Sequence, residues 1–185
     1  MKALCISGSP RRNGNTARIL GEVARGLKNR GVVVKQIVLS DLNIKYCLGD
    51  KSCFQTGDCI QRDDVAKIVH EMYDSQLVIV ASPSYWGDVT AQMKTFIDRC
   101  TPYCDGNPVR KARPKETKGV AIAVRAGNNK KGNENLVDTI EHFLGHHGIP
   151  LITSFTVEGI DTIEDLDNRP EIMRQAYNFG YNLTV

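Results

Sequence analysis

The order of apolar and polar positions along the chain predicts strands and helices in regular alternation. Nearly continuous apolar runs predict five buried strands, at 3–6, 32–39, 77–81, 119–124 and 149–157. Apolar residues spaced three and four apart predict five helices, at 16–29, 63–73, 90–99, 134–147 and 169–183. Strands that alternate with helices form parallel sheets with right-handed crossovers, so we expect residues 1–185 to be one α/β domain.

Five strands in one such domain predict a flavodoxin-like, three-layer sandwich. Its parallel sheet has the strand order 2-1-3-4-5 and carries helices on both faces. The winding direction reverses between strands 1 and 3, which places a ligand crevice at their carboxyl ends. We therefore expect the loops after strands 1, 3 and 4, at residues 8–15, 82–88 and 125–133, to converge.

Composition is that of an ordinary globular domain. Of the 185 residues, 41% are apolar and 24% are charged, and a net charge of +3 does not indicate nucleic-acid binding. No apolar run reaches the length of a membrane span and no export signal is visible, so we expect a cytoplasmic protein with no membrane partner. In that compartment the six cysteines are expected to be thiols, metal ligands or redox groups rather than a disulfide framework.

The loop between the first strand and the first helix predicts an anion site. Residues 7–16 read SGSPRRNGNT, which is rich in hydroxyl, amide and guanidinium side chains. The backbone N–H groups of such a loop and the positive end of the next helix together attract phosphate. The alternative is an ordinary turn from strand to helix. The side chains that crowd this turn include Ser9, Arg11, Asn13, Asn15 and Thr16.

Three familiar phosphate loops do not match this sequence. A nucleotide triphosphate loop carries lysine and then Ser or Thr after its last glycine, but here asparagine follows Gly14. A dinucleotide loop has the spacing G-x-G-x-x-G, which is absent after Gly8. Cys5 and Arg11 have the spacing of a phosphatase loop, but Cys5 lies inside the apolar strand, where a thiol is usually inert. A phosphate monoester remains the favoured ligand.

The loop after the third strand predicts what else this ligand contains. Two aromatic side chains and a glycine at the crevice suit a flat heteroaromatic ring. A phosphate at the first loop and a ring at this one together indicate flavin mononucleotide, FMN. The alternative is that the aromatic pair packs in the core or at an interface. The candidate ring contacts are Pro83, Ser84, Tyr85, Trp86 and Gly87.

Three sequence blocks resemble the NADPH-dependent FMN reductase family, and more closely its iron–sulfur flavoprotein branch. They are GSPRRNGNT at 8–16, SPSYW at 82–86 and QMKTFIDR at 92–99. The resemblance implies a flavodoxin-like fold, non-covalently bound FMN, and a helix at 94–99 that packs at a dimer interface. It also implies that Ser9, Arg11, Asn15 and Thr16 hold the phosphate, that 83–87 line the ring, and that Arg125, Ala126 and Gly127 flank it.

The same branch carries four cysteines in the motif C-x2-C-x2-C-x(4–7)-C. Cys47, Cys53 and Cys59 match three of these positions, and Asp50 occupies the second. A four-iron cluster normally takes four thiolates, and carboxylate is a poor substitute at a soft site. Three alternatives follow: Asp50 is a ligand, one iron is open, or the cluster has been lost and the segment is a lid or partner surface.

The remaining thiols and imidazoles are expected to have structural roles. Cys100 and Cys104 are predicted to be reduced cysteines near a helix end. The histidines lie on predicted helices away from the crevice, where we expect surface or packing residues; they are His70, His142, His146 and His147.

Flavin chemistry needs no catalytic triad, because the cofactor supplies the reactivity. We therefore expect a homodimeric or tetrameric oxidoreductase that uses NAD(P)H, without an essential catalytic side chain. Its acceptor would be a quinone, a flavin, an azo or nitro compound, or a metal ion. One alternative is an electron-transfer flavoprotein that exchanges electrons with ferredoxin and oxidises no NAD(P)H. Another is a binding module that has kept the fold without the flavin.

Overall fold

Five parallel strands form a single sheet in the order β2-β1-β3-β4-β5 in the computed structural model, which describes residues 1–129 and 131–183. The predicted order and the parallel sheet are confirmed. Each predicted strand is present, with ends that differ from the prediction by at most two residues. The strands are β1 (Lys2–Ser7), β2 (Val33–Val38), β3 (Leu77–Pro83), β4 (Lys118–Val124) and β5 (Leu151–Val157).

Within the described residues, seven α-helices connect and cover the strands, and five of them are the predicted ones. They are α1 (Asn15–Asn29), α2 (Cys53–Thr56), α3 (Val65–Tyr73), α4 (Ala91–Arg99), α5 (Lys131–His146), α6 (Ile163–Asp167) and α7 (Pro170–Asn182). The short helices α2 and α6 were not predicted, because one turn is too short to show a helical period. Over the described ranges, no helix has the length and apolar character needed to cross a membrane.

The sheet separates two hydrophobic cores, which confirms the three-layer arrangement. Successive side chains of a strand point to opposite faces, so Leu4 and Ile6 enter one core while Ala3 and Cys5 enter the other. The first core is completed by α3, α4 and α5, and the second by α1, α6 and α7. Because both faces are covered, β1 and β3 are buried along nearly their whole length.

Helices α1 and α7 pack with their backbones in close contact. Gly26 of α1 faces the backbone of Tyr177 and Gly180, and Gly180 of α7 faces the backbone of Val23. A Cβ atom at either glycine would collide with those backbone atoms, so the approach requires glycine at both positions. The helix that follows the candidate anion loop is therefore held in place by the last helix described.

Candidate functional site

The loops after β1, β3 and β4 meet at the carboxyl end of the sheet, where they enclose a small cavity of 90 Å³. Asn13 lines an adjoining cavity of 230 Å³, which shares Arg11 and Asn15 with the first. Trp86, Gly87 and Gly127 belong to the same loops but do not line either cavity. The predicted residues that line the first cavity are Ser9, Arg11, Asn15, Thr16, Pro83, Ser84, Tyr85, Arg125 and Ala126.

The loop after β1 presents donors for an anion. Gly14 is the N-cap of α1 and supplies no side-chain hydrogen bond, so the first N–H groups of the helix have no cap. The first turn of α1 contains no acidic residue that would repel an anion. The loop itself is folded by Ser9, whose Oγ accepts a hydrogen bond from the Arg11 N–H at 3.2 Å. An uncapped helix N-terminus beside hydroxyl and guanidinium groups suits a phosphate.

Asn15 has a role that the sequence did not predict. Its side-chain amide donates hydrogen bonds to the backbone oxygens of Thr162, at 2.9 Å, and Asp161, at 3.4 Å. These bonds fasten the segment before α6 beside the anion loop, and Asp161 and Ile160 thereby line the cavity. Asn15 Oδ1 is buried and has no hydrogen-bond partner among the described residues, which leaves an acceptor that suits a hydroxyl-bearing ligand.

The aromatic turn after β3 is a tight hairpin. Tyr85 and Asp88 exchange backbone hydrogen bonds of 2.9 and 3.1 Å, and both residues between them have positive φ, with 55° at Trp86 and 83° at Gly87. This combination defines a type I′ turn, in which glycine is favoured and tryptophan is strained. The Trp86 side chain is fully exposed, so the alternative that it packs in the core of this chain is wrong.

Thr90 joins the loops after β1 and β3 by hydrogen bonds, and it was not predicted as a site residue. It is fully buried, its hydroxyl donates to the Gly8 carbonyl oxygen, and its N–H donates to Ser82 Oγ at 3.2 Å. Gly8 itself donates its N–H to the Ala81 carbonyl oxygen at 2.8 Å. A threonine at the start of a predicted helix indicates an N-cap. The hydrogen bond of Thr90 to Gly8, 82 residues away, cannot be inferred from local sequence.

The loop after β4 places a guanidinium group at the cavity. Arg125 donates to the Asn129 carbonyl oxygen at 2.6 Å, and its side chain lies directly over Gly132. A Cβ atom at Gly132 would overlap the guanidinium, so this path for Arg125 depends on glycine. The Arg125 Nε is buried and has no partner among the described residues. The cavity therefore has a second positive group, across from the anion loop.

Cys5 cannot serve as the nucleophile of a phosphatase. It lies within β1, is fully buried, and burial raises the pKa of its thiol to about 12. The nucleophile in such chemistry is the thiolate, which this environment disfavours at neutral pH.

The residues of the cluster-like motif, from Cys47 to Cys59, are called the cysteine segment here. None of them lines the cavity at the loop junction. Cys47 is exposed, and Cys53 and Cys59 are half-buried. The Asp50 carboxylate accepts hydrogen bonds from the N–H and the hydroxyl of Ser52, which lower the pKa of Asp50. In the ranges 1–129 and 131–183, no three side chains of the His, Cys, Asp and Glu types are grouped so that they could hold a metal. As arranged here, the three thiols and Asp50 do not fit an iron–sulfur cluster.

A buried arginine holds the cysteine segment against the core. Arg99, the last residue of the 92–99 block, forms an ion pair with Asp63 at 2.6 Å, and both side chains are 1% exposed. Arg99 also donates to the Lys45 and Gln61 carbonyl oxygens, at 2.7 and 3.5 Å, and to Cys59 Sγ at 3.5 Å. Burial opposes ionisation of Asp63, but hydrogen bonds from Arg99 and two backbone N–H groups lower its pKa overall.

Comparisons with known proteins agree with this geometry. Residues 1–160 match the NADPH-dependent FMN reductase family. An iron–sulfur flavoprotein of Archaeoglobus fulgidus is 42% identical over 130 residues, which are 70% of this chain and 57% of that protein. One from Methanocaldococcus jannaschii is 34% identical over 152 residues, which are 82% of this chain and 76% of that protein. The solved NAD(P)H:quinone oxidoreductase from Methanothermobacter marburgensis has the same fold, with a TM-score of 0.76 at 17% identity, covering 100% of this chain and 96% of that one.

The fold and the family match define a flavodoxin-like domain of the flavin-reductase class. More particularly, the chain belongs to the NADPH-dependent FMN reductase family. The match to the Archaeoglobus fulgidus relative spans little more than half the length of that protein.

Proposed function

We propose that this protein transfers electrons from NAD(P)H to a small-molecule acceptor through FMN bound at the junction of the three loops. The observation that carries the proposal is the chemistry of the two sides of the junction. One side is an uncapped helix N-terminus whose first turn carries no acidic residue, and the other is an exposed aromatic turn together with the Arg125 guanidinium. When bound, FMN supplies the redox chemistry.

The residues of the chain then bind and orient the cofactor. Ser9, Thr16 and Arg11 lie with the first N–H groups of α1 and would hold the phosphate. Asn15 would donate its backbone N–H to the phosphate, because its side-chain amide already donates a hydrogen bond to the Thr162 carbonyl oxygen. Its unpaired Oδ1 would accept from a hydroxyl of the cofactor.

The second side of the junction would hold the ring. Pro83, Ser84 and Tyr85 line the cavity, and Trp86 and Gly87 form the turn beyond it. Arg125 and Ala126 lie across from them, with Gly127 next in the loop. A guanidinium near the ring would stabilise negative charge that develops there on reduction.

Rapid mixing of the FMN-loaded protein with NADPH or NADH under anaerobic conditions tests the proposal. We expect the oxidised flavin absorbance to disappear on mixing, and a quinone added afterwards to restore it. If neither nicotinamide reduces the bound flavin faster than it reduces free FMN, the protein is not an NAD(P)H-dependent reductase. A colourless protein that cannot be loaded with FMN would contradict flavin binding itself.

A second candidate is electron transfer with ferredoxin, without oxidation of NAD(P)H. It is supported by the two archaeal relatives, which are iron–sulfur flavoproteins, and by the cysteine segment, which resembles the motif of that branch. Reduced ferredoxin, added in place of the nicotinamide in the same experiment, tests this candidate. Fast reduction by ferredoxin and slow reduction by both nicotinamides would favour it.

We also propose that the protein forms a homodimer or tetramer. Several large apolar side chains outside the cores are exposed, and exposed apolar surface is what subunit contacts cover. Light scattering after size-exclusion chromatography measures the mass, and a monomer at micromolar concentration would contradict this proposal. The side chains are Tyr46, Leu48, Phe54, Ile60 and Trp86.

A further inference from the structure

Two exposed imidazoles face each other near the end of α5. His142 and His146 are four residues apart, so they lie on the same side of the helix, one turn above the other. Their Nε2 atoms are 3.1 Å apart, and the two rings meet edge to face with centroids at 4.4 Å. Two ring nitrogens directed at each other can share either a proton or a metal ion.

Asp105 fixes the orientation of one of these rings. Its carboxylate lies 2.6 Å from His146 Nδ1, and its N–H donates to the His146 carbonyl oxygen at 2.8 Å. The carboxylate accepts the Nδ1 proton, which leaves the lone pair of His146 on Nε2, directed at His142. A carboxylate that holds the far nitrogen of an imidazole is the usual partner of a metal-binding histidine.

We propose that His142 and His146 form a chelating site for a late first-row divalent metal ion, with Asp105 as the residue that positions His146. The spacing of the nitrogens fits such an ion. With metal–nitrogen bonds of about 2.0–2.1 Å, a separation of 3.1 Å gives an N–metal–N angle of about 95–102°. This lies between the angles of octahedral and tetrahedral coordination. On binding, His142 moves its proton from Nε2 to Nδ1, so no net loss of a proton is required.

The surroundings favour a cation. Both histidines lie in the last two turns of α5, where the helix dipole presents its negative end. The rings line an open cavity of 680 Å³ that is also lined by Cys104, by Asp138, and by Asp98, whose charge is paired with Lys94. This cavity shares no lining residue with the loop junction, so the metal site is independent of the proposed flavin site.

The ligand set selects the class of ion. Imidazole nitrogen suits nickel, copper and zinc, whereas magnesium and calcium prefer oxygen ligands. Among the residues that the structure describes, no third His, Cys, Asp or Glu side chain joins the pair in a metal-holding group. The site is therefore a two-imidazole chelate whose other positions are taken by water.

Calorimetric titration of the full-length protein with Ni²⁺, in a non-thiol reductant, tests the proposal. We expect one binding event per chain that is absent from both His142→Asn and His146→Asn. Asp105→Ala should weaken it by about 10- to 100-fold, as is typical when the partner of a ligating histidine is removed. His70→Asn is the matched control, since it removes an exposed imidazole on α3 and should leave the affinity unchanged.

Thermal unfolding with and without Ni²⁺ gives a second measurement. A ligand that binds the folded state raises the melting temperature, so Ni²⁺ should raise it in the wild type and His70→Asn but not in His142→Asn. All the substituted side chains are exposed, and circular dichroism verifies that each variant folds. Ni²⁺ binding that is equally tight in His142→Asn and His146→Asn, as for an ion held by the cysteines, would overturn the proposal. Absence of Ni²⁺ binding to the wild type would also overturn it.

Discussion

The Thr90 hydroxyl donates a hydrogen bond of 2.6 Å to the Gly8 carbonyl oxygen and so joins the loops after β1 and β3. The Thr90 hydroxyl oxygen also accepts a hydrogen bond from the Met93 N–H at 3.2 Å and so caps α4. Thr90→Val keeps the shape of the side chain but leaves the buried carbonyl unpaired. We expect the free energy of unfolding in urea to fall by about 1–3 kcal/mol. FMN binding, followed by flavin fluorescence, should weaken in the same variant.

Thr90→Ser is the control for this prediction, because it retains the hydroxyl. Its stability and FMN affinity should stay nearer to the wild type than those of Thr90→Val. Equal stability of the wild type and Thr90→Val would show that the bond between the loops does not matter.

The proposed phosphate contacts predict different results for two neighbouring residues. Thr16→Ala should weaken FMN binding by roughly tenfold or more, because a hydrogen bond to a charged group contributes about 1.5–3 kcal/mol. Asn15→Ala should lower both FMN affinity and stability, since it also releases Thr162. The double variant should lose FMN during purification. Full flavin occupancy in the double variant would contradict the assignment of the phosphate site.

The buried ion pair of Arg99 and Asp63 predicts a large effect on stability. Arg99→Met leaves an unpaired buried carboxylate and should destabilise the protein by about 3–5 kcal/mol. It should also speed proteolysis within residues 43–62, since Arg99 holds Lys45 and Gln61. The matched control is the double variant Arg99→Met with Asp63→Asn, which removes both charges and should recover part of the stability. No recovery would mean that the ion pair itself contributes little.

His147 predicts a loss of stability in mild acid. Its Nδ1 lies 2.6 Å from the Tyr73 hydroxyl, and burial lowers the pKa of its ring from the usual 6.5 to about 4. Between these values the unfolded chain binds a proton that the folded protein does not, so stability rises with pH. From pH 7 to pH 5 the wild type should lose about 2 kcal/mol more than His147→Asn, which cannot titrate. Urea unfolding at the two pH values measures this, and parallel losses would contradict it.

Trp86 predicts opposite effects on stability and activity. The Trp86 backbone has a φ of 55°, which is strained for a tryptophan and better tolerated by asparagine. Trp86→Asn should therefore raise the free energy of unfolding by up to about 1 kcal/mol. Removing the exposed ring should at the same time slow reoxidation of the flavin by a quinone. The two readouts are urea unfolding and stopped-flow absorbance. A variant that is more stable and equally fast would show that the ring has no part in the reaction.

Local sequence predicted the sheet and the loops because both follow from short-range patterns. Five apolar runs that alternate with helical periods were enough to indicate the flavodoxin-like strand order, and that order predicted that the three loops converge. The contacts that hold the junction could not be found in this way. Asn15 and Thr162 are 147 residues apart, and Arg99 and Asp63 are 36 apart. Such partners come together only through the fold, and many polar side chains compete for each position.

The cysteine segment shows how a sequence motif can indicate more than the structure supports. Its resemblance to a cluster motif rests on spacing along the chain, but ligation depends on where thiols point. The carboxylate of Asp50 stands where the motif has its second thiol, and it accepts hydrogen bonds from Ser52. The helix α2, which begins at Cys53, likewise has no sequence signature of its own.

The contact between Gly26 and Gly180 has a consequence for the order of folding. Helix α7 is separated from α1 by 140 residues, so α1 is synthesised long before its packing partner. Until α7 is available, one face of α1 has no helix to pack against. We therefore expect the proposed cofactor to bind firmly only after α7 has docked.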